Sequence, residues 1–312
     1  MNNRQTPNRP APRRTPNNGT EQHHADARPQ GKKKVRRHRS TGAVIRNIFI
    51  AALAAVIAVF LILFIAGYRY MAYKVVRGEE TVTVKYIGRV DKDGNPTSGR
   101  VIYPDKQAKV DAKNGTVQYS NGDVYSGGLM KMLKHGTGKL IYDNDDVYEG
   151  TFVYDVISGA GTYTYASSGD VYTGAFSEGQ RSGEGTMTWS DGSKYEGTWV
   201  NGYRSGTGKY TAADGSSFEG EYSANKPNGK GTYTYSDGST YEGDFVDGIR
   251  SGTGTYTWAS GEKYTGEFAQ DKPNGQGTFT WPSGRYFTGK FENGVIVVDS
   301  GTAYEPNGEK AE

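Results

Sequence analysis

The sequence predicts an all-β repeat array: an elongated, antiparallel, single-layer sheet of β-hairpins, preceded by one transmembrane α-helix and a disordered N-terminal tail. Three observations lead to this prediction. Glycine and tyrosine are both in excess, with 45 and 24 of the 312 residues. An aromatic residue followed two positions later by glycine recurs with a spacing of 23 residues, and a run of 21 uncharged residues interrupts an otherwise polar chain.

The composition argues against an enzyme. Hydrophobic residues make up 34% of the chain, below the roughly 45–50% of ordinary globular domains, so a large core is not expected. The chain has no cysteine, which excludes disulfides, thiolate metal ligands and a cysteine nucleophile. Its four histidines leave little material for a zinc enzyme or a Ser/His/Asp triad. We therefore expect no catalytic residues, no metal site and no cofactor.

Residues 1–44 are predicted to form a disordered basic tail. The first 40 residues hold eleven Lys/Arg and two acidic residues, a charge of +9, whereas the chain after Arg46 sums to −7. Met1 and Val35 are the large hydrophobic residues of this stretch, too few to offset the entropy of ordering it. The tail either contacts anionic lipid or serves as a topology signal alone, and nucleic acid is not an expected partner.

Residues 45–70 are predicted to form a transmembrane helix. Residues 48–68 carry no charge, and about 20 such residues span the roughly 30 Å hydrocarbon core. Seven basic residues lie before the span and three just after it, which places the tail in the cytoplasm and the rest of the chain outside. We expect a single-pass plasma-membrane protein, with Tyr68, Tyr70 and Tyr73 in the outer interfacial belt.

Residues 125–294 are predicted to form seven full repeats and a partial eighth. The lead aromatics are spaced by 23, 24, 23, 23, 23, 23 and 23 residues. Each is followed two residues later by a signature glycine, and the pairs that define the repeats are Tyr125 and Gly127, Tyr148 and Gly150, Tyr172 and Gly174, Tyr195 and Gly197, Phe218 and Gly220, Tyr241 and Gly243, Tyr264 and Gly266, and Phe287 and Gly289. Residues 71–124 are predicted to be a linker and a degenerate β cap, and residues 295–312 a capping strand (295–298) followed by a polar tail.

Each repeat is predicted to be one β-hairpin. A short strand of pattern YxGxF is followed by a loop, a second strand of pattern GxGTYTW, and a tight turn into the next unit. Because side chains alternate between the faces of a strand, this pattern makes one face aromatic and the other polar. The interior glycines leave flat spaces over which a neighbouring ring can lie.

Two groups of side chains are candidate binding sites. An exposed aromatic face would mark a contact surface, with Trp189, Trp199, Tyr222, Tyr233, Trp258 and Trp281 as its best candidates. Basic residues at equivalent repeat positions would form a basic rim for an anionic polymer or lipid headgroups, or else solvated loop charges. These residues are Arg181, Arg204, Lys226, Arg250 and Lys272.

The units YEGTWVNGYRSGTGKY (195–210) and YEGDFVDGIRSGTGTYTW (241–258) resemble the MORN repeat, a pattern of about 23 residues built on YxGxW and a later GxG. The first unit departs from it, with Leu129 in place of the aromatic and Asp145 in place of the turn glycine. The resemblance implies a non-catalytic scaffold or binding module, which the predicted transmembrane helix would anchor in the membrane. Its expected partners are an unknown protein, a second copy, anionic lipid or an envelope polymer. The alternative is an envelope-associated enzyme or carbohydrate-binding protein with a site among the repeats.

Overall fold

The computed structural model describes residues 39–77, 80–92, 94–111 and 113–311, which fall into two units. Residues 1–38 of the predicted disordered tail lie outside the described residues. The first unit runs to Leu133 and contains α1 (Arg39–Ile65), β1 (Tyr68–Arg77), β2 (Glu80–Val90), β3 (Pro96–Ile102), β4 (Gln107–Asp111), β5 (Thr116–Tyr119) and β6 (Val124–Met130).

The second unit begins at Lys134, within β7, and contains sixteen strands. They are β7 (Leu133–Ile141), β8 (Val147–Val153), β9 (Val156–Thr164), β10 (Val171–Ser177), β11 (Gln180–Thr188), β12 (Lys194–Val200), β13 (Tyr203–Thr211), β14 (Ser217–Ser223), β15 (Lys226–Thr234), β16 (Thr240–Val246), β17 (Ile249–Thr257), β18 (Lys263–Ala269), β19 (Lys272–Thr280), β20 (Tyr286–Glu292), β21 (Val295–Ile296) and β22 (Thr302–Tyr304).

Helix α1 contains a segment, Val44–Ile65, that is long and apolar enough to cross a membrane. The helix begins and ends earlier than the predicted segment 45–70. It ends at Ile65 because Gly67 adopts a φ of 82°, the left-handed conformation that commonly closes a helix, and the Gly67 amide donates to the Phe64 carbonyl at 3.1 Å. Tyr68, Tyr70 and Tyr73, predicted to follow the helix as an interfacial belt, lie on β1.

The strands of the first unit form an antiparallel meander in which each pairs with the next. The residues from 71 onward, predicted to be partly linker, are ordered as strand from the start, since β1 pairs with β2 along its whole length. One face of this meander is buried, with Val84 and Tyr86 fully covered. Alternate residues of β2 are exposed, which is the period-two pattern of a strand with one buried face.

From β7 to β21 the strands of the second unit also pair antiparallel with their sequence neighbours, so the predicted single antiparallel sheet of hairpins is confirmed. The positions of the tight turn and the longer loop were predicted the wrong way round. The tight turn lies inside each repeat: Asn201 and Gly202, with φ of 49° and 83°, join β12 to β13. Two consecutive left-handed residues define the hairpin turn whose twist matches that of paired strands. The second strand therefore begins at Tyr203, three residues before the predicted GxG start.

A row of paired glycines crosses the sheet of the second unit. In the interior repeats the signature glycine faces a glycine on both neighbouring strands, as Gly197 faces Gly185 and Gly208. A Cβ at either Gly197 or Gly208 would meet Tyr195, so the ring lies directly over these two glycines. The predicted flat spaces beneath the aromatic rings are therefore present.

The two end glycines of the predicted pattern, Gly127 and Gly289, differ in their surroundings. Gly127 is exposed on β6, and the register of β5 with β6 stops at Val117 opposite Tyr125, before it reaches Gly127. Gly289 on β20 faces a strand glycine on one side only, Gly277. On its other side the α-carbon of Gly301, a residue outside the strands, takes the place of a paired strand residue. At Gly289 the row of facing glycines therefore continues through Gly301, and a Cβ at either glycine would meet the Phe287 ring.

The turns between repeats are longer than those within them and absorb differences in length. Five residues, Trp189 to Ser193, separate β11 from β12, and the Trp189 amide donates to the Ser193 carbonyl at 2.9 Å. The repeat that begins at Tyr148 has one extra residue, and its turn has six residues, with the Tyr165 amide donating to Asp170. The glycine row continues in register past this insertion, with Gly161 opposite Gly174.

The last strands differ from the predicted capping strand at 295–298. Strand β21 is two residues long and pairs with the end of β20, while β22 pairs with its beginning. Between them Val298 is 82% exposed. Two short strands thus replace the single strand that the apolar run predicted.

Replacing a glycine of the row should destabilise the array far more than replacing its strand neighbour. In Gly231→Ala the new Cβ would overlap the buried Phe218 ring, so we expect a loss of about 3 kcal/mol in the free energy of unfolding. The control Thr232→Ala changes an exposed residue on the other face and should cost about 0.5 kcal/mol. Urea unfolding followed by circular dichroism measures both, and equal losses would contradict the assigned role of the glycine row.

Candidate functional site

A continuous ladder of buried rings runs along one face of the repeats. From Tyr148 to Tyr264, each lead aromatic contacts the aromatic four residues later in its own strand and the equivalent ring of the next repeat. The centroid of Tyr195 lies 5.2 Å from that of Trp199 and 5.1 Å from that of Tyr222, edge to face in both cases. This geometry is the favoured one for aromatic pairs. The ladder therefore joins each repeat to the next.

The hydroxyl groups of the lead tyrosines are hydrogen-bonded within the ladder. Each of the hydroxyls of Tyr172, Tyr195 and Tyr264 donates to the backbone carbonyl three residues later, at 2.9, 3.1 and 2.9 Å. All three side chains are fully buried. Burial raises the pKa of Tyr195 and Tyr264 to about 12, because removal from water disfavours the phenolate.

The signature glycines leave room for the rings of this ladder. Gly150 faces Gly138 and Gly161 on the strands to either side, and a Cβ at Gly150 would meet the Tyr148 hydroxyl. A Cβ at Gly289 would likewise meet the Phe287 ring. Since the space above these glycines is filled by the lead ring of their own repeat, their role is to admit that ring.

The polar side of the same row forms a shallow groove. It is lined by three further signature glycines together with threonines, a lysine and glutamates of the polar face. The signature glycines of the groove are Gly220, Gly243 and Gly266.

The arginines of the predicted basic rim instead clamp neighbouring repeats together. The backbone amide of Arg204 donates to Asn225 Oδ1 at 2.8 Å, and its guanidinium donates to the Asn225 carbonyl at 2.7 Å. The guanidinium carbon also lies 5.4 Å from the centroid of the Tyr222 ring. Burial lowers the pKa of Arg204 from its usual value, yet arginine remains protonated in proteins.

Arg181 and Arg250 occupy equivalent positions. Arg181 is 6% exposed, donates to the Gly202 carbonyl at 2.9 Å and lies 4.3 Å from the Trp199 ring centroid. The prediction of a basic rim is therefore wrong for the arginines, because the second strand begins early enough to include them. Of the two lysines, Lys226 is half-buried and 3.5 Å from a carboxylate oxygen of Asp247, and Lys272 is exposed.

Half of the predicted aromatic binding face is also buried. Trp199, Tyr222 and Trp189 are 2%, 4% and 7% exposed, so they belong to the core of the array and offer no surface to a partner. Alternation along the strand predicted correctly which face is aromatic. The rings are nevertheless covered, because Trp199 and Tyr222 each pack edge to face against the lead rings of two repeats. Trp189 packs against Tyr210.

A second row of rings on the same face remains half-exposed, and we call it the aromatic stripe. It lies where the second strand of each repeat enters the turn to the next, and Trp258 opens such a turn by accepting a hydrogen bond from Gly261. Successive centroids are separated by 4.5 to 5.6 Å. The stripe consists of Tyr233, Tyr235, Tyr256, Trp258, Phe279 and Trp281.

The stripe unites three predicted residues with three that were missed. Tyr233, Trp258 and Trp281 were candidates from the sequence, whereas Tyr235, Tyr256 and Phe279 were not singled out. The signal that identifies them is the alternation within TYTY, TYTW and TFTW, since residues two apart in a strand share a face. The structure thus brings three of the six predicted aromatic contact residues together at the surface, within the stripe.

The opposite face carries threonines and paired charges. Lys230 Nζ lies 2.5 Å from Asp244 Oδ1, and Lys209 Nζ lies 3.2 Å from Glu219 Oε2. Hydrogen bonding to Lys230 lowers the pKa of Asp244. Threonine hydroxyls also approach one another across strands, at 3.0 Å in the pair Thr255 and Thr265. These polar groups largely satisfy one another along the sheet.

Carboxylates that the sequence places near one another serve the turns. Asp146 is 2% exposed and accepts hydrogen bonds from the Tyr163 hydroxyl and the Ala166 amide, both at 2.9 Å. Burial raises the pKa of Tyr163. Across the described part of the chain, no group of three or more His, Asp or Glu side chains is arranged to hold a metal ion.

The fold and the buried ladder define a β-hairpin repeat protein in which each unit is completed by the next. Six consecutive stretches match the MORN repeat family, at residues 148–169, 172–194, 195–217, 218–240, 241–263 and 264–284. These six stretches are MORN repeats, as the sequence predicted. No curated protein matches the chain.

The family match is shorter than the predicted array at both ends, and the units of Gly127 and Gly289 lie outside it. The absence of a match to the first unit is consistent with its Leu129 and Asp145. Tyr125 is nonetheless fully buried, and its hydroxyl donates to the Gly128 carbonyl at 2.8 Å like the other lead tyrosines. Asp145 adopts a φ of 66°, so it keeps the left-handed conformation of the glycine that it replaces.

Substitution of Arg204 tests whether it is a structural clamp. Arg204→Ala removes two side-chain interactions with the next repeat and should lower the free energy of unfolding by about 2 kcal/mol. Arg204→Lys should recover part of this loss, since lysine keeps the charge but not the planar fork. Lys272→Ala, at an exposed position, should be neutral. Unchanged stability in Arg204→Ala, measured by urea unfolding, would restore the interpretation of a surface rim.

The array should unfold at alkaline pH. The pKa of Tyr148, Tyr195, Tyr241 and Tyr264 is raised from 10.0 to about 12 in the folded chain. The folded state therefore holds these protons more tightly than the unfolded state, and the stability linked to them is complete below pH 10 and lost as the pH rises towards 12. Circular dichroism with tyrosinate absorbance should show unfolding and ionisation together. Ionisation of all tyrosines near pH 10 with the sheet intact would contradict this.

Proposed function

We propose that this chain is a single-pass membrane protein whose MORN array is a non-catalytic scaffold that binds a protein partner along the aromatic stripe. Three features support the proposal. The 22 residues of Val44–Ile65 form a helix of about 33 Å at 1.5 Å per residue, enough for the roughly 30 Å hydrocarbon core. The helix side chains are exposed, with Phe49 at 72% and Phe60 at 69%. The half-exposed rings of the stripe carry the assignment of the binding surface.

The distribution of charge supports an orientation with the repeats outside the cytoplasm. Basic residues are concentrated before the helix, with eleven in the first 40 residues, and such residues are retained on the cytoplasmic side. In this orientation the N terminus is cytoplasmic, and the array projects from the outer surface of the plasma membrane.

The absence of cysteine from the chain makes the orientation directly testable. A single cysteine introduced by Ser260→Cys, in an exposed inter-repeat turn, should react with a membrane-impermeant maleimide on intact cells. A cysteine introduced by Thr20→Cys should react after permeabilisation. The reverse pattern would show that the array is cytoplasmic and would contradict the proposed topology.

Photocrosslinking tests the stripe as the binding surface. A photoreactive phenylalanine analogue in place of Tyr256 should give discrete adducts in cells, whereas the same analogue in place of Thr232, on the polar face, should not. Mass spectrometry of the adduct distinguishes a second copy of the chain from another protein. Equal crosslinking from both faces, or none from the stripe, would contradict the assignment.

Carbohydrate binding is the alternative use of the same stripe. Successive repeats place equivalent rings two strands apart, about 9.6 Å for strands spaced by 4.8 Å, which gives a periodic row suited to an extended polymer. An adduct at Tyr256 that is removed by glycan hydrolases, and that contains no second polypeptide, would favour this alternative over a protein partner.

A further inference from the structure

The exposed face of β1–β4 has a charge distribution unlike that of the repeats. Five of its side chains are basic and exposed: Lys74, Lys85, Arg89, Arg100 and Lys109. No ion pair joins any of them to a carboxylate among the side chains that the structure describes. By contrast, several lysines on the polar face of the repeats are paired with neighbouring carboxylates, as Lys230 is with Asp244 and Lys209 is with Glu219.

Strand register places these residues on one surface. Tyr70, Ile87, Arg100 and Lys109 lie opposite one another across β1 to β4. One row closer to α1, Tyr68 faces Arg89, whose guanidinium carbon lies 5.3 Å from the centroid of the Tyr68 ring. Lys85 lies one row further out. Since these positions are separated by even numbers of residues along each strand, all of them project from the same face.

Acidic residues near this face are engaged locally. Asp111 accepts hydrogen bonds from the amides of Lys113 and Asn114, and Asp91 accepts them from the amide and side chain of Asn95. Asp91 is followed directly by Lys92. Five exposed basic side chains against these two carboxylates leave the described part of the face with a net positive charge.

The face is joined closely to the end of α1. Two residues separate Ile65 from β1, and the Gly67 carbonyl accepts a hydrogen bond from the Val90 amide at 3.0 Å. Arg69 donates to the Phe64 carbonyl at 2.7 Å, and its guanidinium carbon lies 3.8 Å from the centroid of the Phe64 ring. These contacts tie the strand to the last turn of the helix, so the first rows of the sheet must lie close to the bilayer surface.

We propose that the exposed face of β1–β4 docks on the anionic headgroups of the bilayer that α1 spans, an inference that rests on the membrane-spanning function proposed above. Successive rows along a strand are about 6.6 Å apart, and the headgroup layer of one leaflet is about 5–8 Å thick. The rows of Arg89 and Arg100 thus lie within reach of lipid phosphates, to which arginine can donate two parallel hydrogen bonds. Tyr68 and Tyr70 fit the same depth, where aromatic side chains with a polar tip accumulate.

The geometry and charge of the face favour a bilayer surface over a soluble polymer as its partner. A soluble anionic polymer would match the charge but not the adjacent apolar and aromatic side chains, with Ile87 at 49% and Tyr70 at 62% exposure. A bilayer surface offers phosphates and an interfacial apolar layer together, next to the helix that holds the face there. Docking on it would fix the orientation of the first unit relative to the membrane.

Fluorescence quenching in the full-length protein tests the proposal. A cysteine introduced by Ser98→Cys, exposed in the row of Arg89, carries an environment-sensitive dye. The protein is reconstituted in phosphatidylcholine vesicles with or without phosphatidylglycerol, each containing a quencher attached to lipid headgroups. We expect strong quenching in the anionic vesicles, weaker quenching in the neutral ones, and a loss of the difference at high salt, because salt screens exposed charges.

Charge-neutralising variants supply the matched control. Arg89→Gln/Arg100→Gln/Lys109→Gln should abolish the dependence of quenching on anionic lipid. Lys194→Gln/Lys209→Gln/Lys230→Gln, which removes the same charge from the repeats, should retain it. All six side chains lie at the sheet surface, and circular dichroism verifies that both variants fold.

Three outcomes would overturn the proposal, and one test isolates the function on which it rests. Equal quenching in both kinds of vesicle, or quenching unaffected by the triple variant, would exclude electrostatic docking. A dye response to soluble heparin without anionic-lipid quenching would assign the face to a polymer.

Alkaline carbonate extraction is performed in parallel. Release of the protein by carbonate contradicts the spanning helix, whereas retention without anionic-lipid quenching contradicts the docking face alone.

Discussion

The packing of a ring over two backbone glycines is the interaction on which the repeats depend. A single-layer sheet has no second sheet or helix to cover its apolar face, so its side chains must cover one another. The absence of Cβ atoms along the glycine row lets each lead aromatic lie flat, as Tyr195 does over Gly197 and Gly208. In that position the ring edge meets aromatics from two repeats, which creates a buried core with no second layer.

This constraint separates the side chains of the array that are buried from those that remain at the surface. Rings near the glycine row are buried and unavailable to partners, while the rings of the aromatic stripe remain half-exposed. The arginines at the hairpin turns, such as Arg204, close the other side of the ladder by binding the carbonyl of the following turn. Surface chemistry is thus confined to the stripe and to the polar face, where most charges are already paired.

The fold could be predicted largely from local spacing, and the site could not. The period of 23 residues identified the lead aromatics and their glycines, and alternation identified the aromatic face. The tight turn could also have been found, because Asn201–Gly202 is the dipeptide that hairpin turns favour. The burial of Arg204 could not, since its partner Asn225 belongs to the next repeat and nothing in the local pattern indicates that contact. The burial of Trp199 was missed for a related reason: alternation assigns a face but does not report what covers it.

The six-residue turn that follows Thr164 has a consequence for how such a chain can vary over generations. The extra residue lies in the connection between units and leaves Gly161 opposite Gly174. The strand register is therefore preserved when a residue is added between units, whereas a residue added within a strand would shift it. Duplication or loss of whole units also preserves the register, and short insertions are accommodated in the turns between units, such as the one closed by Asp170. Variation in the length of the array can therefore accumulate without redesign of its interior.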